Sequence, residues 1–82
     1  MELEKAIPLV LKKYRKAAGL SQEQLALESG LDRTYISFLE RGHRKPTIHT
    51  LFRLCSALNV QPSVFIQEVE KIIENSSDTS IN

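Results

Sequence analysis

An all-α bundle of five helices is the fold that this 82-residue sequence predicts, and three observations carry the prediction. Helix-starting residues recur along the chain: Pro8, Ser21, Asp32, Thr47 and Pro62 each stand immediately before or within a run whose apolar residues return at helical spacing. Helix-ending residues alternate with them, at Gly19, Gly30, Gly42 and Asn59. The length allows one domain, and 41% hydrophobic content suffices for a small helical core.

The first helix is expected to begin near Pro8, because proline is tolerated in the first helical turn and not beyond it. Ile7, Leu11, Tyr14, Arg15 and Ala18 form its inward stripe, while Lys12, Lys13 and Lys16 face water and Gly19 ends it. An arginine on an inward stripe requires a buried partner, since an unpaired charge there is costly.

Ser21 with Gln24 three residues on is a capping box, so the second helix starts there and runs to Gly30. Asp32 caps a third helix that Gly42 ends, leaving a turn of Gly30, Leu31 and Asp32. Two short helices around such a turn fit the arrangement in which the second enters the DNA major groove and the first lies across the backbone. Leu20, Leu25, Ala26, Leu31, Ile36 and Leu39 supply the apolar side of the pair.

Arg33, Thr34, Ser37 and Phe38 occupy the opposite stripe and are the expected base-reading face. The guanidinium fork of Arg33 matches guanine O6 and N7, the hydroxyls of Thr34 and Ser37 both donate and accept, and Phe38 suits a thymine methyl. The alternative for Phe38 is packing on a neighbouring helix. Residues Arg41 to Pro46 make a basic loop, and Thr47 caps a fourth helix through Ile48, Leu51, Leu54, Cys55 and Leu58. Amides of that helix start, with Arg44 and Lys45 just upstream, favour a phosphate. Gln22 is placed to do the same with its side-chain amide and backbone N–H, and Tyr35, Arg41 and Thr47 complete the expected phosphate contacts.

Asn59 and Val60 leave the fourth helix and Pro62 opens the fifth. Phe65 is expected to plug the core, whereas Ile66, Val69 and Ile73 form a further apolar stripe expected to hold a second copy of the chain. Glu68, Glu70 and Glu74 on the same helix would turn it away from phosphate. Residues 1–75 thus form the binding and dimerisation domain, and the polar tail Ser76 to Asn82 is expected to be disordered.

Charge agrees with that division. The net charge is only +1, but Arg33 to Arg53 holds five cations (Arg33, Arg41, Arg44, Lys45, Arg53) against Glu40, whereas Gln61 to Asn82 holds Lys71 against Glu68, Glu70, Glu74 and Asp78. A basic middle and an acidic end imply one surface facing phosphate and one turned from it. No apolar run is long enough to span a membrane and nothing reads as a signal peptide, so a cytoplasmic protein is expected. Cys55 stands alone among leucines as a small core residue, and His43 and His49 lack metal-ligand spacing, so neither a metal nor another cofactor is expected. No catalytic triad, metalloprotease motif, phosphate-binding loop or paired-carboxylate site occurs, and an enzyme is not expected.

Ser21-Gln22, Leu25-Ala26, Gly30, Ile36-Ser37, Glu40-Arg41-Gly42, Pro46, Leu51 and Leu58 together resemble the signature of the Cro/repressor (XRE) helix-turn-helix family, in register from about Ile7 to Ile66. Leu31 to Ser37, with Phe65 and the apolar last helix, further resembles the controller proteins of restriction–modification systems, which are small dimeric transcription regulators. The resemblance implies a lambda-repressor-like five-helix bundle in which Arg15 pairs with Glu40. It also implies a homodimer on double-stranded operator DNA, with RNA polymerase a candidate contact. The alternative kept in view is an antitoxin that binds DNA and a protein toxin.

Overall fold

A computed structural model of the chain describes the backbone of residues 2–81 and the side chains of residues 2–75. Five helices follow one another: α1 (Leu3–Ala17), α2 (Gln22–Ser29), α3 (Arg33–Glu40), α4 (Ile48–Leu58) and α5 (Pro62–Ile81). Helix α1 packs on α5 and α3, α2 packs on α3 and α4, and α4 closes against α5. The side chains of the tail expected to be disordered, Ser76 to Asn82, lie outside the described residues.

The helix boundaries follow local chemistry. The Ser21 hydroxyl accepts the Gln24 amide N–H at 3.0 Å while the Gln24 side chain accepts the Ser21 N–H at 2.8 Å, which completes the capping box. Thr47 Oγ1 accepts from the Thr50 amide at 3.1 Å to start α4. Asp32 occupies the N-cap of α3 as expected, yet its side chain makes no capping bond. Helix α1 ends in a Schellman motif, with the Gly19 amide donating to Lys16 O and the Leu20 amide to Arg15 O, and Gly42 and His43 repeat it on α3.

Two expectations for α1 need correction. The helix starts five residues before Pro8, which sits inside it. Proline there leaves the Glu4 carbonyl without its helical donor, at a cost of about 3 kcal/mol. Burial of Ala6, Val10 and Leu11 on one side of the helix holds both flanking turns in place against that cost. Ala18, expected on the inward stripe, is exposed, because it caps the helix after the last turn.

The core comprises Ala6, Val10, Leu11, Leu25, Ala26, Ile36, Leu39, Leu51, Leu54, Cys55, Leu58, Phe65 and Val69. Phe65 is its largest fully buried side chain, with the Tyr14 ring stacked at 6.0 Å between centroids. Val69 therefore departs from its expected place at a copy-to-copy contact: at 2% exposure it is consumed by the core of one chain. The stripe on α5 keeps Ile66, 40% exposed, and the half-buried Ile73. A compensating surplus lies on α4. Ile48 is 63% exposed, and Phe52 one turn later is 55% exposed, because Leu51, Leu54, Cys55 and Leu58 already fill the inward face. Lys13, expected to face water, also meets Glu68 of α5 at 3.3 Å, a solvent-screened pair worth little.

Candidate nucleic-acid interface

The helix pair α2 and α3 is locked by one buried ion cluster. Arg15, on α1, donates from Nη2 to Glu40 Oε1 at 3.0 Å and from Nε to Oε2 at 2.5 Å, and its Nη1 reaches the Leu20 carbonyl at 2.9 Å. Gln22 Nε2 adds a bond to Glu40 Oε1 at 3.1 Å. Side-chain exposures of 11% for the arginine and 3% for the glutamate make this a buried pair. Hydrogen bonding to Glu40 raises the Arg15 pKa further, against the opposing effect of desolvation. The last residue of α3 is thereby tied to α1 and to the first turn of α2. One hydrogen of the Gln22 side-chain amide is committed to Glu40, which leaves the second hydrogen and the backbone N–H of this first helical residue for another acceptor.

On the outer face of α3, Arg33 and Thr34 are exposed in the first turn, and no ion pair or side-chain hydrogen bond engages them among the described residues. Ser37 is half-buried one turn later. Phe38 is half-buried and does not pack on the core as its alternative setting required. Its ring is flanked by the Arg41 guanidinium at 5.2 Å, the Arg44 guanidinium at 5.5 Å and the His43 ring at 6.2 Å, so it organises the loop that follows α3 rather than packing on a helix. Tyr35 is half-buried with its ring against the core, a position that leaves the hydroxyl end for a polar partner.

The basic loop extends this face. Arg41 donates from Nε to the Ser37 carbonyl at 3.4 Å while lying over Phe38, and Arg44 and Lys45 are exposed without a carboxylate partner among the described residues. Thr47 spends its hydroxyl on the cap, accepting from the Thr50 amide and bonding Thr50 Oγ1 at 3.1 Å. The remaining first-turn amides of α4 are thus the natural anion donors there, more than the Thr47 side chain. Gly42, with φ of +75°, lets the loop turn back on α1: a Cβ at this position would sit 3.4 Å from the Glu4 carbonyl oxygen and 3.6 Å from Pro8 Cγ.

Two features lie beyond the residues expected to form the site. Exposed Phe52 stands at i, i+4 from Ile48 beside an already complete inward stripe, and that spacing is its signal in the sequence. The link from Gln22 to Glu40 joins residues 18 apart and had no local signal. Among the described residues no group of His, Cys, Asp or Glu is placed to hold a metal ion, and no helix is long and apolar enough to cross a membrane.

Comparison with known proteins places this geometry among relatives. The family model described as helix-turn-helix matches residues 11–65. The chain is 40% identical over 60 residues to the HTH-type transcriptional regulator y4dJ of Sinorhizobium fredii, covering 73% of this chain and 78% of that one. It is 46% identical over 59 residues to the control protein C.SmaI of Serratia marcescens, covering 72% and 70%. Among solved structures, the wild-type restriction–modification controller protein C.Esp1396I superposes with a TM-score of 0.83 at 41% identity over 89% of this chain and 96% of that one. The tetramer of the same controller in complex with its 35 base-pair operator matches at 0.80 and 41% identity, over 87% and 93%.

Proposed function

This chain belongs to the helix-turn-helix family of transcriptional regulators, alongside the controller proteins of restriction–modification systems, and from that premise we propose that it binds a specific double-stranded operator as a homodimer and regulates transcription from it. The observation that carries the reading is the exposed first turn of α3, with Arg33 and Thr34 beside cations of the next loop that have no ion-pair partner among the described residues. Base edges are read by the former and backbone phosphate is held by Arg41, Arg44, Lys45, Tyr35 and the first-turn amides of α2 and α4. Variants of C.Esp1396I have been solved with single replacements at consecutive arginine, threonine and tyrosine positions, the order of Arg33-Thr34-Tyr35 here. A further replaced arginine in that controller follows the first at the same chain distance as Arg44 follows Arg33.

The second copy docks on apolar surface that one chain leaves open, Ile48 and Phe52 on α4 with Ile66 on α5 contributing. A two-fold axis beside α4 keeps both α3 helices on one side of the duplex, so the operator is an inverted repeat with half-site centres about 10 bp apart or a multiple of that. The protein works in the cytoplasm, without cofactor and without catalysis, and RNA polymerase is a further contact at the promoter. Selecting bound sequences from random duplex DNA tests the proposal: an enriched inverted repeat supports it, and recovery of no preferred sequence at any salt concentration refutes it.

A further inference from the structure

The loop that carries Arg44 and Lys45 folds back on the first turns of α1 and encloses a cleft of about 300 Å³. That volume is at the lower end of small-molecule sites. Leu3, Ile7, Pro8 and Pro46 form apolar walls, and Glu4, Arg44 and Lys45 supply the polar part. The two prolines and the close approach of Gly42 to Glu4 and Pro8 limit collapse of the cleft. Two cations against one carboxylate leave a surplus of one positive charge, and neither cation has an ion-pair partner among the described residues. The Arg44 guanidinium carbon also lies 5.5 Å from the Phe38 ring, so Arg44 stands between the cleft and the proposed DNA face.

We propose that this cleft binds a small monoanion with a compact apolar body, its anionic head on Arg44 and Lys45 and its body against Leu3, Ile7 and the prolines. Occupancy withdraws both cations from DNA phosphate, so the ligand acts as an inducer that loosens DNA binding. This consequence rests on the DNA-binding reading above. Because phosphate contacts carry no sequence information, affinity for operator and for unrelated duplex falls by the same factor, and DNA and ligand weaken each other reciprocally.

Sodium hexanoate is a suitable probe, with hexylammonium chloride and 1-hexanol as controls that keep the apolar body and change the charge. Backbone amide NMR at constant ionic strength is expected to show saturable shifts at Leu3 to Ile7 and Gly42 to Lys45 for hexanoate alone. Leu3→Gln, which removes one exposed wall and no core contact, is expected to keep the fold and the DNA affinity while weakening hexanoate binding about fivefold. Fluorescence anisotropy with saturating hexanoate is expected to show operator and random duplex affinities reduced equally, by about threefold or more. Shifts that do not saturate, an equal response to hexylammonium, or undiminished hexanoate binding by Leu3→Gln overturns the site. Unchanged duplex affinity at saturating hexanoate overturns the competition. A chain that binds no duplex at any salt concentration refutes the DNA reading and the competition with it, and the shift titration still decides the cleft.

Discussion

Replacing Arg15 with methionine is the perturbation that most directly probes how this small domain holds its two DNA-facing helices together. Glu40 accepts three hydrogen bonds, two from Arg15 and one from Gln22, and its side chain is 3% exposed. Arg15→Met leaves only the bond from Gln22, so a carboxylate remains buried with its counter-charge gone. At about 1.5–3 kcal/mol for each of the two lost bonds to a charged group, the loss is about 3–6 kcal/mol, which spans the range for breaking one side of a buried pair. A chain of this length has a total stability of about 4–12 kcal/mol, so the variant is near its unfolding threshold. Glu40→Leu costs less, because Arg15 keeps the Leu20 carbonyl and its 11% exposure lets water reach it. The double variant Arg15→Met with Glu40→Leu recovers most of the loss, since buried pairs roughly balance their own desolvation. Urea unfolding followed by circular dichroism at 222 nm gives all four stabilities. A double variant whose destabilisation equals the sum of the two single ones refutes the coupling and with it the structural role assigned to the pair.

Arg33→Ala is expected to cost about 1–3 kcal/mol on the selected operator and to relax preference at one position per half-site, while random duplex binding changes far less; an equal loss on both would make Arg33 a phosphate contact. Arg44→Ala and Lys45→Ala are each expected to weaken all duplexes alike and to lower the slope of log K against log salt by about one, and an unchanged slope removes them from the interface. Phe52→Asp is expected to give a folded monomer in sedimentation with operator affinity falling toward that of a half-site, whereas Val69→Asp, which buries a carboxylate in the core, is expected to unfold the chain; a dimeric Phe52→Asp at micromolar concentration places the contact elsewhere. Burial pushes the Cys55 thiol up to about 11. Because the folded chain then holds a proton that the unfolded chain releases, stability is full below pH 8.5 and falls by about 2–3 kcal/mol as pH rises to 11, a decline measurable against Cys55→Ala and absent if the thiol ionises freely.

Local chemistry made much of this protein legible from its residues in order. The capping box of Ser21 and Gln24, the Thr47 cap, the left-handed Gly19, Gly30 and Gly42, and the Pro62 start each act within one turn of chain, so short-range sterics and hydrogen bonding decide them wherever the segment lies. The exposed stripe of Arg33 and Thr34 follows equally from helical period once Ile36 and Leu39 face inward. Tertiary structure decided what depends on a neighbour. Pro8 sits inside a helix because Ala6, Val10 and Leu11 bury against α3 and α5, a gain that no local propensity contains. Val69 went to the core while Ile48 and Phe52 stayed at the surface, because a periodic apolar stripe states that a face exists and only the crossing of α4 with α5 states which face is covered. Gln22 turned to Glu40, and Arg44 to the Phe38 ring, through contacts set by where the chain brings those side chains in space. Hydrogen bonds within a turn are encoded by adjacency, whereas burial is a property of the packed assembly of helices and emerges only when all five are in place.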